Sequence, residues 1–328
     1  MSTTTLHSLT DQIQSFIDAT GAEFGVSVLH LESGEEININ ADASFPMASV
    51  LKIPVLCAAF RQIEQGQFAL TDRWELTVAE KNIGSGILTW FDDGLRPTVR
   101  DLLTLMMIIS DNTATDMIMH QVGVAEIDAF MKELGLAHIH MAMDIHGIFD
   151  DIMGAENSDP RRLFVDLNKK RQAPPTRRDG SAYSPGPDNN ASTPRDMTRL
   201  LSMMARGEVV STQACGNMLY IMLQQQLNQR LPRFLPYGIP FAHKTGTLGG
   251  IRNNAGILYA GDNSHVAVTV YCRWDTDAVS GDKVAEDKRI HELDSVFGHI
   301  GLALYEHYQD AQPGNQAQQV QLPYVAKG

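Results

Sequence analysis

Strand-forming stretches fall near the two ends of this 328-residue chain, and helix-forming stretches fill the interval between them. Residues 24–31 are apolar enough for a strand, Glu32-Ser33-Gly34-Glu35 reads as a turn, and residues 37–40 alternate as a second strand. Two hundred residues later, 241–247, 255–260 and 266–272 read as three more strands, the last two joined by the turn Gly261-Asp262-Asn263-Ser264. Strands joined by short turns pair antiparallel, because a parallel pair needs a crossover of a dozen residues or more. The expected fold is therefore α/β of the α+β type, an antiparallel sheet flanked by terminal helices with an all-α lobe inserted into it. The boundaries expected from this pattern put residues 1–46 and 224–310 in the α/β lobe. Residues 47–223 make the mainly helical lobe, with a long irregular loop at 135–193, and 311–328 form a loose tail.

The inserted lobe opens on Met47-Ala48-Ser49-Val50-Leu51-Lys52, followed by the apolar run Ile53, Val55, Leu56, Ala58, Ala59 and Phe60. Such a run predicts a buried helix starting at or just before Ser49. On a helix, residues three apart share a face, so the Lys52 amine can reach the Ser49 hydroxyl. A serine hydroxyl is a poor nucleophile until a base takes its proton, and a lysine in an apolar wall can be that base because burial favours its neutral form. The plainer reading makes Ser49 a helix cap and Lys52 a surface lysine with its amine in water.

Composition narrows the class. Hydrophobic residues make up 43% of the chain, enough for a sizeable core. A net charge of −13 speaks against nucleic acid or an anionic membrane as partner, since both need a basic face. Cys57, Cys215 and Cys272 are odd in number and far apart, which points to buried thiols rather than a disulfide framework or a zinc site. Residues 1–10 carry neither a basic nor an apolar segment of the secretory kind, so a cytoplasmic location is expected as written, and a periplasmic or secreted one if a leader was removed.

Further helices are expected before Gly21, at 102–109 behind the cap Thr98-Val99-Arg100-Asp101, and at 114–121 and 125–134. Thr193-Pro194 and Ser211 open two more, and Ile290, Leu293, Phe297, Ile300 and Leu304 mark the last. Against this frame three short motifs stand in order: Ser49-Val50-Leu51-Lys52 on a helix, Ser110-Asp111-Asn112 at a helix end and Lys244-Thr245-Gly246 on a strand. Together with Pro46-Met47-Ala48 before the first motif and Thr113-Ala114 after the second, they resemble the class A serine β-lactamases of the β-lactamase and penicillin-binding protein superfamily. The resemblance covers residues 8–308.

The resemblance implies roles. Ser49 is the acylated nucleophile and Lys52 its base or part of its proton relay. Ser110 passes a proton to the leaving nitrogen, and Lys244 holds that hydroxyl and draws the substrate carboxylate. Asn112 binds the substrate amide, Thr245, Gly246 and Thr247 form the strand along which substrate lies, and the N–H groups of Ser49 and Thr247 make the oxyanion hole. Acyl transfer needs this set of parts whatever the family. Arg252, just past the Gly249-Gly250 turn, is either a second carboxylate anchor or a surface arginine. The substrate is a small lactam, amide or ester. No cofactor, metal, nucleic acid or membrane is expected.

One departure stands out. The family carries a loop Arg-x-Glu-x-x-Leu-Asn whose glutamate activates the deacylating water, and here Arg162-Leu163-Phe164-Val165-Asp166-Leu167-Asn168 has Phe164 in its place. Either Asp150, Asp151, Glu156 or Asp166 serves as base, or Lys52 serves both steps as in D,D-peptidases and esterases, or the acyl-enzyme persists in a slow-turnover β-lactam-binding protein. His138, His140 and His146 read as loop histidines, and Gly84-Ser85-Gly86 as a plain loop.

Overall fold

The computed structural model describes residues 3–153 and 180–310. Five strands form one sheet: β1 (Glu23–His30), β2 (Glu36–Ile39), β5 (Phe241–Leu248), β6 (Ile251–Gly261) and β7 (Ser264–Arg273). Their order is β2-β1-β7-β6-β5 and every pairing is antiparallel. A second, two-stranded sheet joins β3 (Phe45–Pro46) to β4 (Ala191–Ser192). The chain closes the large sheet by pairing its first strand with its last, Val26 opposite Val270.

The strands read as near-continuous apolar runs because the sheet is covered on both faces. Side chains of successive residues point to opposite faces, and the two sets enter two different cores. Phe24, Val26, Val28, Val266, Val268 and Val270 pack with Leu9, Ile13 and Ile17 of helix α1 (Thr3–Asp18) and with Phe297, Ile300 and Leu304 of the C-terminal helix Lys283–Tyr308. Ala242, Ala255, Ile257, Ala267 and Tyr271 face the helical core instead.

That second core is built around α2 (Lys52–Glu64), in which every residue from Lys52 to Phe60 is buried. It is packed by α3 (Val99–Ile108), α4 (Asn112–Val122), α5 (Val124–Glu133) and α8 (Thr212–Leu223). The intervening α7 (Pro194–Ala205) lies against β1 and β7, and Lys283–Tyr308 is α9. The caps read from the sequence form. Thr98 Oγ1 accepts from Asp101 N at 3.1 Å while the Asp101 carboxylate accepts from Thr98 N at 2.9 Å, and Thr193 and Ser211 cap α7 and α8. No helix among the described residues is long and apolar enough to cross a membrane.

The expectation of an irregular loop over 135–193 needs correction in its described part. Residues Ile145–Met153 form α6, an amphipathic helix with Ile145, Ile148 and Ile152 buried. Asp144 starts it, its carboxylate accepting from Gly147 N at 2.7 Å. The i, i+3, i+4 pattern of Ile145, Ile148 and Phe149 was present in the sequence but was masked by Gly147 and by the acidic pair behind it. Phe164, Glu156 and Asp166, and the tail 311–328, lie outside the described residues.

Candidate active site

Helix α2 does not begin at Ser49. Residues Ala48–Leu51 form a turn of 3-10 helix, and Lys52 is the first α-helical residue. Ser49 makes no capping bond there and is half-buried, while Lys52 is fully buried, so the plainer reading of both residues fails. Ala48 is held at φ 46° and Ser110 at φ 60°, left-handed conformations that a residue with a Cβ adopts at a cost of order 1–3 kcal/mol. The surroundings enforce the first of these. Asn253 of β6 donates from Nδ2 to the carbonyls of Pro46 and Met47 at 2.8 and 3.0 Å, and Met47 N donates to Asn190 O at 2.9 Å.

Strand β5 runs close alongside this turn. A Cβ on Gly246 would lie 2.6 Å from Met47 O and 3.2 Å from Val50 N, both backbone atoms that cannot swing away. Gly246→Ala therefore pushes β5 off the serine turn. We expect an acylation rate lower by on the order of 10²-fold, the effect of an ångström-scale misplacement, with ~1–3 kcal/mol lost from stability. Stopped-flow labelling and thermal melting read the two effects separately.

Three segments converge on a cavity of about 320 Å³. Ala48 and Ser49 line it from the first, Ser110 and Asn112 from the second, and Thr245, Thr247 and Leu248 from β5. Gly84, Ser85, Leu227 and the α6 residues Ile145, Ile148 and Phe149 complete the wall. Beneath it, Lys52 Nζ donates to Ser110 O at 2.7 Å, Ser110 Oγ at 2.9 Å and Asn112 Oδ1 at 2.8 Å. No hydrogen bond joins Lys52 to Ser49. The second motif holds the amine, because its three clustered acceptors outweigh one hydroxyl. Burial pushes the Lys52 amine down to about 7, against the pull of the Asp111 and Asp116 carboxylates towards the charged form. Asp111 caps α4 at Ala114 N and accepts from Ile87 N and Leu88 N, which pins the 84–88 loop over the site.

Lys244 is fully buried and donates to Thr245 O at 2.8 Å. Burial, then the charges of Lys52 and Arg230, hold its amine well below the usual lysine range. His243 beside it is neutral: burial, then the charges of Lys244 and Arg230, push it down to about 3, and its two ring nitrogens bond Asn228 Oδ1 and Asn254 Nδ2. Asn112 Nδ2 donates to Ile83 O at 2.8 Å, so the side chain ties Lys52 to the 83–85 loop as well as lining the cavity.

Arg252 turns away. Its guanidinium donates to Leu248 O and Ile251 O, lies over Trp274 and sits 3.9 Å from Asp294, and it is absent from the cavity wall. Arg230 is the guanidinium that reaches Gly246 and Thr247 of β5: it donates to Gly246 O, Asn253 O and Thr247 Oγ1 and pairs with Asp294 at 3.2 Å. Nothing in the local sequence marked Arg230, because its partners lie on strands far along the chain. Ser85 was also passed over. It donates to Ser110 O at 2.6 Å and to Asn112 Oδ1 at 3.3 Å, sharing both acceptors with Lys52. Of the carboxylates considered for deacylation, Asp151 accepts from Ala182 N and Ser181 Oγ, and neither it nor Asp150 lines the cavity.

A fold of this topology, with a buried lysine bound to Ser110 beneath the cleft that Ser49 lines, has relatives. The model of the β-lactamase enzyme family matches residues 8–308, and the chain belongs to that family. It is 24% identical over 313 residues to β-lactamase VEB-1 of Pseudomonas aeruginosa, covering 92% of this chain and 90% of that one. The crystal structure of a β-lactamase from Sphaerobacter thermophilus is 28% identical at a TM-score of 0.69, covering 90% of this chain and 95% of the other. PBP-A, solved in a substituted form as an acyl-enzyme complex with penicillin G, is 24% identical at a TM-score of 0.69, covering 92% and 96%.

Proposed function

We propose that this chain is a serine hydrolase that opens β-lactam amide bonds through an acyl-enzyme on Ser49. The observation that carries the proposal is the buried Lys52 amine, bound to Ser110 and Asn112 under the cavity that Ser49 lines. The similarity to β-lactamase VEB-1 and to a protein captured with penicillin G supports the substrate class.

In the first step, Ser49 Oγ attacks the lactam carbonyl and its proton passes to neutral Lys52, whose amine turns from Ser110 and Asn112 to receive it. The oxyanion is held by the N–H groups of Ser49 and Thr247. Collapse breaks the C–N bond, and the ring nitrogen takes a proton from Ser110, which Lys52 restores through their 2.9 Å bond. The substrate carboxylate meets the end of the site where Arg230 and Lys244 lie behind Thr247 and Thr245. Water then hydrolyses the ester.

Because the reactive form of Lys52 is the neutral amine, acid removes it. The acidic limb of kcat/KM for acylation is expected to fall about tenfold per pH unit below about 7 and to level off above it. A profile that stays flat down to about pH 5 would exclude Lys52 as the titrating base.

One observation favours slow turnover as a second reading. The cavity wall beside Ser49 is apolar at Ile145, Ile148 and Phe149, and no carboxylate lines the cavity among the described residues. A chromogenic cephalosporin, a p-nitrophenyl ester and intact-mass analysis with penicillin separate the readings. Rapid cephalosporin turnover establishes the hydrolase. A stoichiometric adduct stable for hours establishes the binding protein. Turnover of the ester alone would remove the β-lactam as substrate.

A further inference from the structure

Behind the α6 wall of the cleft lies a cluster that the reaction does not use. Asp116 and His120 stand one turn apart on α4, and His146 opens the first turn of α6. One donor atom from each of the three lies within 4.8 Å of the others. His146 Nδ1 is 2.7 Å from Asp116 Oδ2, and Asp144 Oδ2 is 3.1 Å from His120 Nε2. Glu80 holds the other ring nitrogen of His120 at 3.2 Å, and Asn82 donates to Asp116 Oδ2 at 2.7 Å.

We propose that Asp116, His120 and His146 form a binding site for a divalent transition-metal ion of the zinc class, with Asp144 beside His120. Two imidazoles and one carboxylate are a donor set for zinc, cobalt or nickel rather than for magnesium or calcium. The spacing fits: donors around a tetrahedral ion sit roughly 3.4 Å apart, and the three donor atoms here lie within 4.8 Å of one another. Two residues at i and i+4 on one helix face are placed to chelate one ion. The outer partners are also in place. A carboxylate on Nδ1, here Glu80, fixes the His120 ring with Nε2 turned towards the ion.

Three carboxylates, Glu80, Asp116 and Asp144, face the two rings, so a divalent cation placed there meets negative charge.

Such an ion would fasten α6 to α4 and to the Val78–Glu80 turn. Since Ile145, Ile148 and Phe149 of α6 line the cavity, it would hold one wall of the cleft in position without touching substrate.

The test uses untagged full-length protein, prepared without metal-affinity chromatography, stripped with chelator and dialysed. Titration with Co²⁺ alone should show one ion per chain with the intense visible absorption of a tetrahedral site, displaced by Zn²⁺. Zn²⁺ should raise Tm. Glu80→Gln should weaken binding about 10–100-fold, as loss of an outer carboxylate does, and His120→Asn with His146→Asn should abolish it. Absence of binding at equilibrium dialysis, or unchanged binding in the double variant, would overturn the site. Should the double variant fail to fold, the wild-type cobalt spectrum decides: weak octahedral absorption contradicts the proposal.

Discussion

Ser49→Ala is expected to abolish covalent labelling by penicillin while leaving the fold intact. The substitution removes one hydroxyl from a half-buried position that makes no capping bond, so neither the serine turn nor α2 loses a structural partner. The buried Val50, Leu51 and Ile53 that anchor this segment are untouched. Tm should therefore change little, in line with substitutions outside the core and the polar networks. Acylation, by contrast, has no other nucleophile in the cavity with the same setting. Ser110 and Ser85 also line it, but Ser110 is held by Lys52 and Ser85 donates its proton to Ser110 O. Intact-mass analysis after incubation checks this, and an adduct of undiminished amount on the variant would move the nucleophile elsewhere.

Lys52→Met should lower the acylation rate by roughly 10²–10⁴-fold, the usual contribution of a positioned general base. Methionine is the informative replacement because it fills the lysine's buried space, whereas alanine also leaves a cavity. Of the acceptors that Lys52 served, Ser110 O keeps the Ser85 hydroxyl as donor at 2.6 Å. A second readout follows from linkage. The folded-state pKa of Lys52 is lowered from 10.5 to about 7, so between those values the unfolded chain binds the proton and the folded chain does not. Wild-type stability should then gain a component that rises with pH over that window, and Lys52→Met should lack it. Wild-type labelling rates in Lys52→Met would overturn the assignment of Lys52 as base.

Much of this was legible in the residues, and the exceptions share a cause. The Ser49–Lys52 spacing, the caps at Thr98, Thr193 and Ser211 and the hairpin turns are local signals, readable within a few residues, and they placed the helices and strands. What was misread depended on partners far along the chain. Lys52 was expected on Ser49 and instead binds Ser110 and Asn112 on another helix end. Arg252 was the arginine near the motif, yet Arg230 is the one that reaches Gly246 and Thr247. His146 was grouped with His138 and His140 by proximity in sequence. Folding sends His138 to Asp196 and brings His146 to Asp116 and His120. Gly84-Ser85-Gly86 carries no motif of its own, but Asp111 and Asn112 draw it over the cavity. Periodicity reports which face of an element is buried and is silent about which distant side chain will meet it.

The central claim is that three separate segments deliver one reactive hydroxyl to a common cleft. Mixing the protein with penicillin, quenching in acid within the first turnovers and mapping the adduct by peptide mass spectrometry tests it most directly. The account predicts a single ring-opened penicillin on the peptide containing Ser49. An adduct on any other residue, or substrate consumed with no adduct trapped at any quench time, would contradict it.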